Sequence, residues 1–260
     1  KLLESKAYQS ELSGEDKKSE TFLNSIRSIL KIRGEYGKVQ TNFGEPIYLN
    51  QILDRNHPEW ASENYDDEIR PPWVRDVIGT LSQNIMSNIN QAATVNPINL
   101  ISTVLLASSN QSMDEKDLAE MLELYREMIL AQNYSQKIVM TKRSGIEQIK
   151  HAETLKLLKR QTHEFGDILF LGNKLAVSMT YYRNNTLHLL ALPSLIACCF
   201  FNNRVQTRDD IYKLVGLAYP FVQKEMFLVW DKKTELNNAI DSALAFLQEK
   251  GLLAYDKSND

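Results

Sequence analysis

Hydrophobic residues recur along most of the chain at the spacing of an α-helix. Between residues 74 and 89 they fall at i, i+3, i+4 and i+7 and form one stripe: Val74, Val77, Ile78, Leu81, Ile85 and Ile89. A second stripe near the end precedes Gly251, a residue type that commonly stops helices: Leu236, Ile240, Ala243, Leu244 and Leu247. The pattern predicts amphipathic helices whose apolar faces turn towards a core.

Short motifs predict where further helices begin. Asn96-Pro97 combines a capping side chain with a proline at the first helical position. Ser112 with Glu115, and Thr207 with Asp210, have the spacing of a capping box, in which each side chain accepts from the backbone N–H of the other residue. We therefore expect helices to start just after each of these positions.

Residues 1–50 predict the last helix and strand of an α/β layer. The segment 19–34, SETFLNSIRSILKIRG, has a helical apolar period and ends in glycine. Apolar and polar residues then alternate over 39–43, as in a strand, before Gly44 and Pro46 break the pattern.

The remainder predicts a mainly helical α+β protein. Residues 51–73 contain three prolines and many charges without a clear period, which is typical of a linker. From 74 to 260 we expect a helical C-terminal domain with a β-hairpin at 167–181, because Gly172-Asn173 joins two β-rich runs. The final LLAY, 252–255, predicts a short closing strand.

The segment 186–201 is nearly all apolar and has three interpretations. As a helix its sixteen residues span about 24 Å, less than the roughly 30 Å hydrocarbon core of a bilayer, and Pro193 and His188 interrupt it. A buried core helix is therefore favoured over a membrane span. The third interpretation is a helix packed against a partner domain, with Arg183, Asn184 and Asn185 as polar anchors at its edge; capping of the helix entry is the plainer role for these three.

Composition narrows the function classes. The net charge is −3, from 30 basic and 33 acidic residues that are well mixed, which argues against a nucleic-acid partner. The only cysteines, Cys198 and Cys199, are neighbours on a predicted helix and are poorly placed to pair. The start, KLLESKAYQSEL, lacks the features of a signal peptide, and we expect the chain to come from within a longer protein.

No self-sufficient active site is predicted. HEFGD, 163–167, is one residue shorter than an H-x4-D motif, so a structural role is favoured for His163. Glu45 in NFGEP is a candidate group at the rim of an active site or interface, although a turn that ends a strand is the simpler reading. The spacing of histidines, cysteines and acidic residues predicts no metal site, and no glycine-rich phosphate motif predicts a cofactor.

Several segments resemble the bacterial membrane-bound glycerol-3-phosphate acyltransferases, in order and with similar spacing. They are VQTNFGEPIYL, RPPWV, NQAATVNPINLISTVLLAS, GDILFL, SMTYYRNNTLHLLALPSLIA and AYPFVQKEMFLVWD. The resemblance implies acyl transfer from acyl-CoA or acyl-carrier protein to the 1-hydroxyl of glycerol 3-phosphate, with a histidine of an H-x4-D motif as general base. It also implies peripheral attachment to the cytoplasmic side of the bacterial inner membrane.

The catalytic motifs of that family are not in this sequence. H-x4-D, F-I-R-R and E-G-T-R are all missing, so the resemblance assigns no catalytic residue here and implies a region that follows the catalytic motifs. The expected partners are the protein's own catalytic domain and a membrane surface, with Arg183, Asn184, Asn185 and Glu45 as interface candidates. The alternative is a free-standing helical module that binds protein and has no catalytic neighbour.

Overall fold

The computed structural model describes residues 40–64, 70–172, 175–202 and 205–255. Its backbone groups into two compact units, the first including 95–127 and 140–187 and the second including 42–94, 128–139 and 188–255. The helix predicted at 19–34 lies outside the described residues. The predicted domain boundaries near residues 50 and 73 stay predictions.

The described part of the chain is mainly helical with short strands, which confirms the predicted α+β class. In chain order the elements are α1 (Leu49–Asn56), a 3-10 helix (Pro58–Ala61), α2 (Val74–Gln91), β1 (Thr94–Val95), α3 (Pro97–Ala107), a 3-10 helix (Ser109–Gln111), β2 (Ser112–Asp114), α4 (Glu115–Ala131), β3 (Val139–Met140), α5 (Gly145–Thr154), β4 (Lys159–Gln161), β5 (Ile168–Phe170), α6 (Ala176–Asn184), a 3-10 helix (Leu187–Leu190), α7 (Ala191–Cys199), α8 (Arg208–Met226) and α9 (Lys233–Glu249).

Helix α3 is the centre of the first unit, where α5 and α6 pack against it. Every residue from Pro97 to Leu105 is buried, and the polar members Asn99, Ser102 and Thr103 donate hydrogen bonds to backbone carbonyls. Its start confirms the prediction: the Asn96 side chain accepts the N–H groups of Ile98 and Asn99 at 2.9 and 3.1 Å, and Pro97 occupies the first helical position.

A three-stranded antiparallel sheet in the order β2-β5-β4 completes the first unit. Its hairpin is β4–β5, with Lys159 opposite Phe170, and Gly166 at φ +132° permits the tight connection. The hairpin predicted at 167–181 is therefore wrong, because residues 176–184 form α6 instead. Gly172 begins the helix entry, where its carbonyl accepts the N–H of Leu175 at 2.7 Å, and Ser178 and Met179 are buried on the inner face of α6.

The capping box predicted at Ser112 is also wrong. Ser112 belongs to β2, and α4 begins at Glu115. Asp114 supplies the cap, since its Oδ1 accepts the N–H of Lys116 at 2.8 Å. Ser112 does not cap the helix because it is paired in β2, where it lies opposite Phe170. Asp114, two residues before Lys116, caps the helix in its place.

Helices α7, α8 and α9 pack together in the second unit. The capping box at Thr207 and Asp210 is present, and Gly251 follows α9 at φ +68°, so both predictions are confirmed. The closing strand predicted at 252–255 is wrong. The N–H groups of Leu252 and Leu253 turn back to the carbonyl of Leu247, at 2.9 and 3.2 Å, and close the end of the helix.

The apolar run 186–201 forms a 3-10 helix followed by α7 and is not one sixteen-residue helix. Pro193 explains the break, because it lacks the N–H that would bond the carbonyl of Leu189. The side chain of Gln132 donates to that carbonyl instead, at 2.8 Å. Leu189, Leu192 and Ile196 are fully buried, so one side of the run belongs to a protein core as favoured above, whereas Phe201 at its end is 73% exposed.

The first described residues also differ from expectation. Residues 40–43 form no strand; the Asn42 side chain holds this segment by donating to the carbonyl of Ala92 at 3.1 Å and to Thr94 Oγ1 at 3.0 Å. The segment 51–73, expected as a linker, contains most of α1 and a 3-10 helix. Helix α1 packs on α2 through Ile52. Charged residues around Ile52 obscure the helical apolar period of this segment, so the sequence did not predict the helix.

Candidate functional site

Glu45 lies on an irregular segment that runs along α2. The carbonyl of Glu45 accepts from the Asn88 side chain at 2.9 Å, and its carboxylate pairs with Lys137. A Cβ at Gly44 would stand 3.0 Å from Cβ of Asn88, so only glycine lets the segment approach the helix this closely. Glu45 therefore fixes the incoming chain against α2, and its role as an interface residue stays a prediction.

Arg183, Asn184 and Asn185 form the C-terminal end of α6. The Arg183 guanidinium donates to Asn184 Oδ1 at 3.2 and 3.3 Å, and the Arg183 carbonyl accepts from the N–H of Thr186 at 3.1 Å. The buried Asn99 side chain holds this end by donating to the carbonyl of Tyr182 at 2.7 Å. The structure brings these three residues together as a helix terminus, and it does not test the predicted interface role.

The histidines have structural contacts. In the loop of the β4–β5 hairpin, His163 Nδ1 accepts the N–H of Phe165 at 3.3 Å, as its favoured structural role requires. His57 Nε2 lies 2.8 Å from Glu63, and its ring stacks on Trp73 with centroids 4.8 Å apart. Across the described ranges, no cluster of three or more histidine, cysteine or acidic side chains has the geometry to hold a metal ion.

His188 is part of a buried polar and aromatic cluster that the sequence did not predict. Its Nε2–H donates to the carbonyl of Asn90 at 3.1 Å, and its ring meets the edge of Tyr134, which in turn meets Trp230. Burial lowers the pKa of His188 to about 4, so the ring is neutral at pH 7. The cluster joins the end of α2 to the start of the apolar run inside the second unit.

Arg160 connects three carboxylates in the first unit. Its guanidinium donates to Glu115 and Asp167 at 2.6 Å each, and to Glu153 at 2.8 Å. Hydrogen bonding from Arg160 lowers the pKa of Glu115. Each carboxylate comes from a different element end, so Arg160 fastens the sheet to α4 and α5. Sequence spacing gives no signal for this cluster, because Arg160 and Glu115 are 45 residues apart along the chain.

Two helices of the second unit present apolar side chains to solvent. On α2, the outward residues recur at i, i+4, i+7, i+8 and i+11; this α2 outer face consists of Ile78, Ser82, Ile85, Met86 and Ile89. On α8, the α8 outer face consists of Leu214, Leu217 and Phe221, the last two 66% and 74% exposed. Contiguous exposed apolar groups of this kind mark surfaces that contact a partner.

The α2 outer face continues into a shallow groove. Its apolar wall comes from Ile47, Ile85 and Ile89, and the amides of Asn42 and Asn88 line the rim. The helical period of α2 predicts that its apolar stripe faces a core. In the structure Val77 is the buried residue of α2, whereas Ile89 is 58% exposed. Within the described residues, no helix combines the length and hydropathy needed to cross a bilayer.

Comparison with known proteins identifies the family. Residues 8–260 match the family described as "Glycerol-3-phosphate acyltransferase C-terminal region", and the chain belongs to it. The region is thus part of an acyltransferase family, as the resemblance implied.

Its relatives include proteins named glycerol-3-phosphate acyltransferase. The relative from Xanthomonas campestris pv. campestris is 38% identical over 254 residues, 97% of this chain and 29% of the relative. Those from Pseudomonas paraeruginosa and Pseudomonas syringae pv. syringae are 37% and 36% identical, over 97% and 99% of this chain and 30% and 31% of the relatives. The chain therefore spans about a third of the length of these relatives.

Proposed function

We propose that this chain is the C-terminal region of an enzyme that transfers a fatty acyl group from acyl-CoA or acyl-carrier protein to the 1-hydroxyl of glycerol 3-phosphate. The product, lysophosphatidate, is a precursor of phospholipids. The observation that carries the proposal is the match of nearly the whole chain to the C-terminal third of proteins named for this activity. The chemical step belongs to the preceding portion of the longer protein.

The role of the region itself is to support that catalytic portion. Its sequence has no H-x4-D motif, and three of its four histidines make the structural contacts described above. We expect residues 1–260 alone to transfer no acyl group. The exposed apolar faces of α2 and α8 favour packing against further protein or lipid over an independent enzyme.

An acyl-transfer assay tests this proposal. Purified 1–260 and the full-length protein are each incubated with palmitoyl-CoA and radiolabelled glycerol 3-phosphate, and labelled lysophosphatidate is counted. We expect product from the full-length protein and background counts from 1–260. Product formation by 1–260 at the rate of the full-length protein contradicts the division of roles, and a full-length protein without activity contradicts the assigned reaction.

The alternative function is a protein-binding module without a catalytic neighbour, and the same exposed faces favour it. The two proposals differ in the full-length protein. Acyl-transfer activity there supports the enzyme, whereas a full-length protein that binds a partner through the α2 outer face and turns over no substrate supports the module.

We also propose that the protein attaches peripherally to the cytoplasmic side of the bacterial inner membrane. The α8 outer face supports this, because Leu217 and Phe221 lie beside the exposed Lys213 and Lys224, whose long side chains reach towards lipid head groups. Flotation with vesicles of phosphatidylethanolamine and phosphatidylglycerol tests it. The full-length protein is expected to float with the vesicles and Phe221→Asp to reduce the bound fraction; a protein that stays unbound contradicts the proposal.

A further inference from the structure

We propose that the α2 outer face is the docking surface for the catalytic portion that precedes this region in the longer protein. The inference rests on the proposed function and specifies where the two portions meet. It begins from burial: three of the six residues of the α2 stripe, Ile78, Ile85 and Ile89, are 43%, 42% and 58% exposed. Exposed apolar side chains that share one helix face are stabilised when another surface covers them.

The side-chain composition of α2 favours protein over lipid as the partner that covers the α2 outer face. From Val77 to Gln91 the helix contains no ionisable residue, and its polar positions are serine, threonine and side-chain amides. The cores of protein interfaces are depleted in charge in the same way. A helix that lies on a lipid surface instead carries lysine or arginine along its polar face, which α2 lacks over these fifteen positions.

The path of the chain indicates which protein covers the α2 outer face. Residues 42–45 cross beside the α2 outer face, fixed by the bonds from Asn42 to Ala92 and Thr94, from Asn88 to Glu45, and by the Glu45–Lys137 pair. The catalytic portion, which precedes residue 1, belongs to the same polypeptide and is joined to this fixed segment through residues 1–41. Covalent linkage gives that portion a high effective concentration at the stripe, so a complementary surface on it occupies this face before a separate molecule does.

One exposed aromatic lies on the segment that lines the groove. Phe43 is 85% exposed although both its neighbours are held, since Asn42 is hydrogen bonded and Gly44 lies against Asn88. Exposed aromatic residues are frequent binding anchors, and the backbone at Phe43 needs no further ordering on docking. Phe43, Ile85 and Ile89 are thus the residues expected to carry most of the contact.

Thiol accessibility tests the inference without disrupting the fold. Ile85→Cys and Ile89→Cys are introduced separately into the full-length protein and into 1–260, each with Cys198→Ser and Cys199→Ser to remove the two cysteines of this region, and labelling is followed at the introduced cysteine by peptide mass spectrometry. Asn84→Cys is the matched control: it is exposed and adjacent to Ile85, but it points about 100° away around the helix, into the groove beside α1. Maleimide labelling rates are measured without lipid, and far-UV circular dichroism confirms that each variant is folded.

The expected result is labelling of Ile85→Cys and Ile89→Cys about tenfold slower in the full-length protein than in 1–260, with similar rates for Asn84→Cys in both. Equal rates for the stripe positions overturn the inference. Slow labelling of 1–260 that speeds up on dilution assigns the face to a second copy, and protection that needs added vesicles assigns it to lipid; both also overturn it.

The acyl-transfer assay separates this inference from the proposed function. An active full-length protein whose stripe thiols react freely retains the function and loses the docking surface. A protein whose stripe thiols are protected but which transfers no acyl group retains the docking surface and loses the function.

Discussion

Helices α2 and α3 follow each other in the chain, yet they are held by different forces. Helix α3 buries every residue from Pro97 to Leu105, so burial of apolar area stabilises it from all sides. Helix α2 buries only Val77 fully; it packs on α1 through Ile52 and is otherwise held by side-chain hydrogen bonds. The more regular hydrophobic stripe belongs to the helix that is less buried.

The attachments of α2 lie mostly at its C-terminal end. The Asn90 side chain donates to the carbonyl of Met226 at 2.7 Å, and the Asn90 carbonyl accepts from His188. Asn88 donates to Glu45, and near the other end Thr80 donates weakly to Asn56 at 3.4 Å. Hydrogen bonds fix position and leave the apolar side free, whereas the packing around α3 leaves no side free. This contrast indicates that α3 is part of a core, whereas the apolar side of α2 is suited to be covered by another surface.

Truncation inside α3 has the largest expected effect. Leu100→Ala removes a side chain that is 1% exposed and leaves a cavity, so we expect a loss of about 2–5 kcal/mol in the free energy of unfolding. Urea denaturation of 1–260 followed by circular dichroism measures it. A loss below about 1 kcal/mol shows that α3 is not the tightly packed element that the comparison requires.

Titration of His188 tests the polar attachment of α2. Its pKa in the folded state, about 4, lies below the ordinary value of 6.5, so folding favours the neutral ring and its contribution to stability is lost as pH falls between those values. We expect a loss of about 1 kcal/mol by pH 5.5 and about 2–3 kcal/mol by pH 4.5. Urea midpoints from pH 7.5 to 4.5 measure it.

His188→Gln is the control for this titration. Glutamine keeps an N–H donor for the Asn90 carbonyl but does not titrate, so the variant is expected to lose the pH-dependent part between pH 7.5 and 5.5. Carboxylates that titrate below pH 4.5 affect both proteins alike. Parallel pH profiles for the wild type and the variant contradict the assignment.

Sequence reasoning succeeded where a local signal decides the structure. Asn96-Pro97, Thr207 with Asp210, and Gly251 act on backbone groups within a few residues, so their effect does not depend on the rest of the fold. The helical period of α9 was confirmed for the same reason, with Leu236, Ile240 and Leu247 facing inward.

Sequence reasoning failed where distant residues compete for the same group. Gly172-Asn173 resembles a hairpin turn, but packing of Met179 against α3 outweighs the β propensity of the following residues. Ser112 pairs with Phe170 in the sheet and therefore does not cap α4. The cluster at Arg160 and the pairing of Glu45 with Lys137 join residues far apart in sequence, and no local pattern encodes them. The period of α2 correctly predicted a helix but not whether its stripe is covered.

Removing one hydrogen-bonding side chain from α2 has a smaller expected effect. Asn90→Ala removes the donor to the Met226 carbonyl, and we expect a loss of about 1 kcal/mol in the free energy of unfolding. Asn84→Ala, an exposed amide on the same helix, is the matched control and is expected to change stability by less than about 0.5 kcal/mol. Equal changes in the two variants show that the bond to Met226 contributes nothing beyond the general effect of replacing asparagine by alanine in this helix.

The smallest effect is expected on the α2 outer face itself. Ile85→Ser replaces a side chain that is already 42% exposed, so the free energy of unfolding of 1–260 is expected to fall by no more than about 1 kcal/mol by urea denaturation. The same substitution in the full-length protein is expected to cost more, because there the face is covered and its apolar contacts are lost. A large loss in 1–260 means that Ile85 already belongs to a core in this region, and the contrast between α2 and α3 then disappears.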